Sequence, residues 1–265
     1  MALRRKYEGN GYLNSSSIYY AVIYSKNDLT LELIGNNTLT QTESNSYMIC
    51  VSGAKLIVGG DGKLTGTAER YALCADKDIT INGGTVEVST RYASIFSYGD
   101  VIINDGDITA ESKADVAIYS LYDVTVNGGN VTAIGSYNAI GCGSFGSFSV
   151  AEGMKIQAST TVDGELGEYV AANLDSYKKI VIAPAIILTG STTGGIKVTV
   201  ENLKGSATLI VAQYEGGKMV DVEMQTVSAD GTYSFTGLTQ KTGCTYKAFL
   251  VNSTSYAPLC AADEF

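Results

Sequence analysis

The sequence has 265 residues, of which 45% are hydrophobic and 17% charged, so it has enough apolar material for a core and does not resemble a disordered chain. Thirty glycines against two prolines, with many Thr, Val, Ile and Tyr residues, favour strands joined by tight turns. The net charge of -9 without a Lys/Arg cluster argues against a nucleic-acid partner, and no apolar run is long enough to span a membrane.

A repeated motif dominates the first two thirds of the chain after its N-terminal residues. Residues 78–88, 100–110 and 123–133 are three copies of one pattern, in which Asp, two alternating apolar residues and an Asn precede a glycine turn. Alternating apolar residues predict short strands with one buried face, and self-similar units of about 23 residues stack in parallel as a solenoid. We predict an all-β protein with a right-handed parallel β-helix over residues 1–183, made of about seven coils with three short strands each. Residues 1–14 lack the repeat and are expected to begin partway into a coil or to form a cap.

The repeat ends near Pro184, where the sequence changes character. Pro184 and the Gly-, Ser- and Thr-rich run that follows predict a linker over residues 184–195. Residues 196–265 contain short apolar strands separated by Gly, Asp and Asn turns, which predicts a small β-sandwich of the fibronectin or immunoglobulin type.

Both regions resemble known families. The repeats, with the related segment 31–39 before them, resemble the secreted β-helix proteins of anaerobic Gram-positive bacteria known as carbohydrate-binding domain-containing proteins. This resemblance implies a pectate-lyase-like fold, an extracellular or surface location, and binding of an acidic plant polysaccharide with calcium. Segments 207–220 and 246–251 resemble the fibronectin-like accessory domain of such bacteria, although Val251 stands where that domain usually has Trp.

Arginine and tyrosine residues at the starts of coils are the candidate binding residues. Arg70 and Arg91 precede Tyr71 and Tyr92 in successive repeats, so we expect the two arginines to lie about 5 Å apart on one corner. Two adjacent like charges repel unless an anion bridges them, which suggests a carboxylate or sulfate site. The alternative is a solvated edge, with the arginines paired to Glu69, Glu111 or Asp115.

Tyrosines are the most abundant aromatic residues, with 18 Tyr against 6 Phe and no Trp. Their flat rings match the apolar face of a pyranose, and Tyr47, Tyr71 and Tyr92 open three successive coils, so we include Tyr47 in the binding strip. Tyr98, Tyr122 and Tyr137 lie near later turns. Stacked tyrosines can equally belong to a core or to a stiffening ladder.

Two polar columns have structural or metal-binding interpretations. Asp28, Asp78, Asp100 and Asp123 begin equivalent strands, where a ladder of carboxylates can hold Ca²⁺ or can accept backbone N–H groups of the turn. Asn82, Asn104 and Asn127 are expected to form an amide ladder along the turns.

The five cysteines, an odd number, do not suggest a full disulfide framework. Cys50 and Cys74 occupy matching repeat positions and are expected to be stacked, buried thiols, whereas Cys244 and Cys260 can pair. Histidine is absent, and no carboxylate cluster accompanies the arginines. These absences favour binding without catalysis, and the family resemblance implies an extracellular polysaccharide-binding protein, with an acidic glycan as ligand and calcium as candidate cofactor. The alternative is a structural surface rod or adhesin that binds protein, and a polysaccharide lyase is third.

Overall fold

The computed structural model describes residues 2–6, 21–151, 154–191, 195–201, 203, 205–256, 258–260 and 262–264. The chain divides into two compact units, Met1–Ala151 with Ile156–Ile182 and Glu152–Lys155 with Ala183–Phe265. The chain is nearly all β, and its parallel strands, about 23 residues apart, form a solenoid of about six turns. The predicted fold class is therefore confirmed. In the part of the chain that the structure describes, no helix has the length and apolar character to cross a membrane.

Short strands build the solenoid, together with one 3₁₀ helix at Ala171–Ser176. The strands are Ala2–Lys6 (β1), Ala21–Ser25 (β2), Leu29–Ile34 (β3), Asn36–Thr40 (β4), Tyr47–Val51 (β5), Leu56–Gly60 (β6), Lys63–Ala68 (β7), Tyr71–Ala75 (β8), Ile79–Thr90 (β9), Ile95–Ser97 (β10), Val101–Ser112 (β11), Ile118–Ser120 (β12), Val124–Val126 (β13), Asn130–Gly135 (β14), Ile140–Cys142 (β15), Phe148–Val150 (β16), Met154–Ser159 (β17), Gly167–Glu168 (β18) and Lys179–Pro184 (β19).

Each coil contributes strands to three parallel faces. The first face stacks β3, β6, β9, β11, β13 and β16, and the second stacks β4, β7, β9, β11 and β14, because β9 and β11 continue around the Asn-Gly turn. The third face stacks β2, β5, β8, β10, β12 and β15. Along each strand alternate residues point inward, which puts columns such as Leu56, Ile79 and Val101 in the core at 0% exposure.

One antiparallel strand covers an end of the first face, and another covers an end of the second face. β1 pairs antiparallel with β3, and β19 pairs antiparallel with β14. Strand edges that would otherwise be open to another chain are thereby paired. The cap interpretation of the N-terminal residues is correct for β1. The return of β19 explains why the structure has about six turns instead of about seven.

The second unit consists of two antiparallel sheets with one core. Its strands are Ile186–Ser191 (β20), Gly195–Val200 (β21), Ala207–Glu215 (β22), Lys218–Val227 (β23), Gly231–Phe235 (β24), Cys244–Asn252 (β25) and Asp263–Glu264 (β26). One sheet has the order β20-β21-β24 and the other β23-β22-β25-β26. Val198 and Phe235 from the first sheet and Leu209 and Leu250 from the second belong to one buried cluster, as a sandwich requires.

The linker predicted over residues 184–195 is wrong for its central part. β20 lies there and pairs along its whole length with β21, so it is the first strand of the sandwich. Residues 192–194 lie outside the described residues. A Thr- and Gly-containing composition was misleading here because an edge strand needs only one apolar face and a partner.

Candidate functional site

The strand register decides which side chains meet at the corner between the second and third faces. Ala68 pairs with Thr90 before this corner and Leu73 pairs with Ile95 after it. Four residues lie between these pairs in each coil, 69–72 in one and 91–94 in the next, and they match in order. Arg91 matches Glu69, and Tyr92 matches Arg70.

The expectation that Arg70 and Arg91 occupy matching positions is therefore wrong. The two Arg-Tyr dipeptides are spaced one residue closer than the coils are. Instead, Arg91 Nη1 lies 3.0 Å from Glu69 Oε1, and the two residues are 22 positions apart. The ion pair with Glu69 is the solvated-edge alternative, and both side chains are substantially exposed. It also raises the pKa of the Arg91 guanidinium, chiefly through the hydrogen bond to Glu69.

Arg70 belongs to a separate cavity of about 130 Å³ on the outside of the third face, which we call the Arg70 pocket. The residues that line it are Tyr47, Cys50, Ser52, Arg70, Tyr71, Cys74, Asp76 and Tyr98. Tyr47 and Tyr71 are register partners, as are Cys50 and Cys74, so the strands β5 and β8 fix four of these side chains in two neighbouring columns. Three of the predicted binding residues, Arg70, Tyr71 and Tyr47, are thus brought together.

Aromatic rings form the wall of the Arg70 pocket. The guanidinium carbon of Arg70 lies 5.1 Å from the Tyr71 ring centroid and 5.7 Å from that of Tyr47, within the range of cation–π attraction. Tyr71 stacks on Phe96 with ring centroids 4.4 Å apart and planes at 2°. Phe96 in turn contacts Tyr98 edge-on at 5.0 Å. The rings hold one another rigidly, which fixes the place of the cation.

Arg70 has no carboxylate within 4.0 Å among the residues that the structure describes. Asp76 also lines the pocket, but its Oδ2 accepts the Ser52 hydroxyl at 3.0 Å and the Gly53 N–H at 2.7 Å. The pocket therefore presents a half-buried cation whose charge no salt bridge neutralises. Such a group favours an anionic ligand.

Three side chains around Arg70, those of Tyr47, Tyr71 and Cys74, have raised pKa values. Burial raises the pKa of the Tyr71 phenol, and the hydrogen bond and charge of Arg70 only partly oppose it. Burial likewise raises the pKa of Tyr47. The hydrogen bond with Cys50, together with burial, raises the pKa of the Cys74 thiol. Near neutral pH the two tyrosines therefore offer hydroxyls, and Cys74 offers a neutral thiol and no nucleophilic thiolate.

The two predictions about cysteine differ in outcome. Cys50 and Cys74 are in-register, 4% exposed and free, so the prediction of buried stacked thiols is confirmed. Cys244 and Cys260 are also free, so they do not form the disulfide that was considered.

Exposed aromatic residues continue from the pocket along the next corner. Tyr98 is 47% exposed, Tyr122 is 51% exposed and Phe145 is 93% exposed, in three successive coils. Tyr137 lies at the corner that carries Tyr92, where its ring centroid is 5.2 Å from Lys178 Nζ. Tyr92 is 39% exposed and is covered on one side by Arg91, at 5.7 Å from the ring centroid. Flat apolar surfaces thus lie on both sides of the Arg70 pocket.

The aspartate column forms a ladder of side-chain-to-backbone hydrogen bonds. The N–H of Asp100 donates to Asp78 Oδ1 at 3.1 Å, and that of Asp123 donates to Asp100 Oδ1 at 3.0 Å. The first and last aspartates make the same contact, because Asp28 Oδ1 accepts the Lys55 N–H and Asp123 Oδ1 accepts the Ser147 N–H. Each aspartate thus ties its coil to the next, as the structural alternative proposed.

These carboxylates do not form the oxygen cage that calcium needs, with six or more ligands. Across the described ranges, no three His, Cys, Asp or Glu side chains come close enough to share a metal ion. The column contributes one carboxylate per coil, and Oδ1 of each already accepts a backbone N–H. The geometry therefore does not fit the expected ion, and calcium binding stays a prediction without structural support.

The asparagine column forms the predicted amide ladder. Asn104 Nδ2 donates to Asn82 Oδ1 at 2.8 Å, and Asn127 Nδ2 donates to Asn104 Oδ1 at 2.8 Å. Beside it, Gly84, Gly106 and Gly129 take positive φ values and stack closely, because a Cβ on Gly106 would lie 2.6 Å from the Gly84 carbonyl oxygen. The shape of this turn, which is repeated from coil to coil, therefore depends on backbone conformations and contacts that only glycine allows.

Sequence reasoning missed Phe96, which stacks on Tyr71 behind the Arg70 pocket, and Lys113, which follows Arg91 at the same corner in the next coil. Phe96 follows the buried Ile95 and is the register partner of Cys74, so counting from the core column would have placed it beside the pocket. Lys113 follows Ser112 as Arg91 follows Thr90, and Ser112 pairs with Thr90. Both errors came from aligning the coils by an Arg-Tyr dipeptide instead of by their buried residues.

Comparison with known proteins does not add a family. No protein-family model matches the chain. Neither curated proteins nor solved structures contain a significant match.

Proposed function

We propose that the solenoid binds an acidic polysaccharide without cleaving it, through the Arg70 pocket and the exposed tyrosines beside it. The observation that carries the proposal is the unneutralised guanidinium of Arg70, half-buried against the rings of Tyr47 and Tyr71. A carboxylate or sulfate on a sugar is the class of ligand that such a cation pairs with. An extracellular or surface location belongs to the same proposal.

The surrounding surface suits a sugar better than a small inorganic anion. Tyr98 lines the Arg70 pocket and presents about half of its surface to solvent, and Tyr122 does so in the next coil. An aromatic face covers the C–H groups of a pyranose while its hydroxyls remain hydrated. Arg70 then selects for charge, and the tyrosines hold the ring.

Binding without catalysis is favoured by the protonation and bonding of the pocket groups. A lyase needs a base close to the proton it removes. Asp76 is held by Ser52 and Gly53, the Cys74 thiol has a raised pKa, and the sequence has no histidine. We propose that these residues shape the pocket and transfer no proton.

Calorimetric titration with polygalacturonate tests the proposal. We expect binding by the unchanged protein, about tenfold weaker binding by Arg70→Ala, and an intermediate loss for Arg70→Lys, because lysine keeps the charge but loses the planar stacking. Lys55→Ala is the matched control, since Lys55 is an exposed lysine of another corner whose described hydrogen bonds use only its backbone N–H and carbonyl oxygen. Equal affinities of Arg70→Ala and Lys55→Ala would remove Arg70 from the site.

A rigid rod or protein-binding adhesin is the second candidate. The continuous asparagine and aspartate ladders favour it, because they tie each coil to the next along an exposed corner. This candidate predicts that no glycan binds and that Arg70→Ala has no effect on any glycan titration. The same experiment therefore separates the two functions.

A further inference from the structure

A column of three charged residues crosses three successive coils at the corner next to the Arg70 pocket. Ala68, Thr90 and Ser112 are in register, and the residues after them are Glu69, Arg91 and Lys113. The backbone confirms the match, because Lys113 N–H donates to Thr90 O at 2.9 Å and Ala114 N–H donates to Arg91 O at 2.8 Å. The column therefore reads negative, positive, positive.

One positive charge of this column is left without compensation. Arg91 pairs with Glu69 at 3.0 Å, whereas Lys113 has no carboxylate within 4.0 Å in the described part of the chain. Adjacent cations on neighbouring in-register strands repel each other, and an anion between them relieves the repulsion. Arg91 and Lys113 are the true in-register pair of cations on the solenoid corner.

These cations line a depression of about 280 Å³ that is also lined by Glu69, the ion-pair partner of Arg91, and by Thr42, Thr67 and Ser89. Ser89 Oγ is shielded from solvent and makes no hydrogen bond to any described residue. A buried hydroxyl without a partner costs free energy unless a ligand or water satisfies it. The depression thus combines the Arg91–Glu69 ion pair with Lys113, and its net positive charge suits an oxyanion.

The depression and the Arg70 pocket are neighbours around the corner. Tyr92 matches Arg70 in the register, and Arg91 lies over the Tyr92 ring at 5.7 Å from its centroid. A chain that leaves Arg70 and passes over Tyr92 therefore reaches Arg91 and Lys113. This path advances from coil to coil along the stacking direction of the strands and shifts by one residue around the coil, from Tyr92 to Arg91.

We infer that Arg91 and Lys113 form a second anion-binding subsite for the same polysaccharide, which runs along the corner from coil to coil and places carboxylate or sulfate groups on Arg70 and on Lys113. The inference rests on the proposed function. It assigns a role to Lys113 and places Arg91 in a subsite separate from that of Arg70. The ligand class is a polyanionic glycan with charged groups on more than one sugar.

The test measures affinities of the full chain and of Lys113→Ala, Lys113→Arg, Arg70→Ala and Lys55→Ala for polygalacturonate, dextran sulfate and uncharged dextran. We expect Lys113→Ala to weaken binding of the charged polymers about fivefold, as for an exposed ion pair, with no effect of Lys55→Ala. Lys113→Arg should retain the affinity, because a cation remains. A loss confined to polygalacturonate identifies carboxylates as the bound groups, and a loss confined to dextran sulfate identifies sulfates.

The possible failures are distinguishable. If Arg70→Ala weakens binding while Lys113→Ala behaves as Lys55→Ala does, the second subsite is refuted and the proposed function stands. If the unchanged protein binds neither charged polymer, both are refuted. If uncharged dextran binds as tightly as the charged polymers, recognition of anions is refuted at both subsites.

Discussion

The asparagine ladder makes a quantitative prediction, because its members have unequal numbers of bonds. Asn104 makes two ladder bonds, to Asn82 and from Asn127, each 2.8 Å long, whereas Asn127 makes only the one to Asn104. An exposed side-chain hydrogen bond contributes about 0.5 kcal/mol, at the low end for such bonds. Asn104→Ala should therefore cost about 1 kcal/mol and Asn127→Ala about half of that.

Scanning calorimetry of the two variants measures this difference. For a unit of this size, 1 kcal/mol corresponds to a fall of about 3 °C in the transition midpoint of the solenoid, so about 1.5 °C is expected for Asn127→Ala. The ratio of two to one is the sharper test, since it does not depend on the strength assumed for one bond. Equal shifts for the two variants, or no shift in either, would refute an energetic role for the ladder.

Three further predictions concern the turns, the thiols and calcium. Gly106→Ala should destabilise the solenoid by about 3 kcal/mol, because the residue has φ +111° and a Cβ would lie 2.6 Å from the Gly84 carbonyl oxygen. The control Gly53→Ala should cost about 1 kcal/mol, because Gly53 has φ +71° but open space around it. Equal losses of stability in thermal unfolding would contradict the close stacking of Gly106. Burial raises the pKa of Cys142 from 9.0 to about 11, so the folded state holds this proton more tightly than the unfolded state does. The free energy of unfolding should therefore fall as pH rises above about 9. Unfolding experiments between pH 8 and 11 should show a smaller slope for Cys142→Ser. Chelation with EDTA should change neither the melting midpoint nor the titration with polygalacturonate, because the Asp78 column forms no oxygen cage; a midpoint that falls with EDTA and recovers with Ca²⁺ would restore the calcium prediction.

The strictly repeated features could be predicted from the sequence. The alternation of apolar residues in β9 and β11 indicates strands with one buried face, and a repeat too short for a helical crossover leaves parallel stacking as the solution. The asparagine ladder and the burial of Cys50 and Cys74 follow from the same regularity. In each case neighbouring coils have the same residue type at the same position, so any small error in alignment is visible.

The corner was harder to predict, because its residues differ from coil to coil. Arg70 and Arg91 are each followed by Tyr, and this similarity suggested an alignment that would break the pairing of Leu73 with Ile95. Buried pairs dominate the register, since shifting a strand by one residue would turn its apolar side chains to solvent. An alignment anchored on the buried residues would have placed Glu69 beside Arg91.

Successive coils also differ in length at this corner. Before the corner, Thr90 pairs with Ser112, which lies 22 residues later in the chain. After the corner, Ile95 pairs with Ile118, which lies 23 residues later. The coil through Lys113 therefore has one additional corner residue. The strands absorb none of this change, because their inward side chains must stay in column. Corners can therefore exchange or insert residues at little cost to the core, and the side chains they carry are free to serve binding. The location of Arg70, Arg91, Tyr92 and Lys113 at one such corner is the structural reason to look for the ligand there, and it is also why the repeat motif itself contains no information about the ligand.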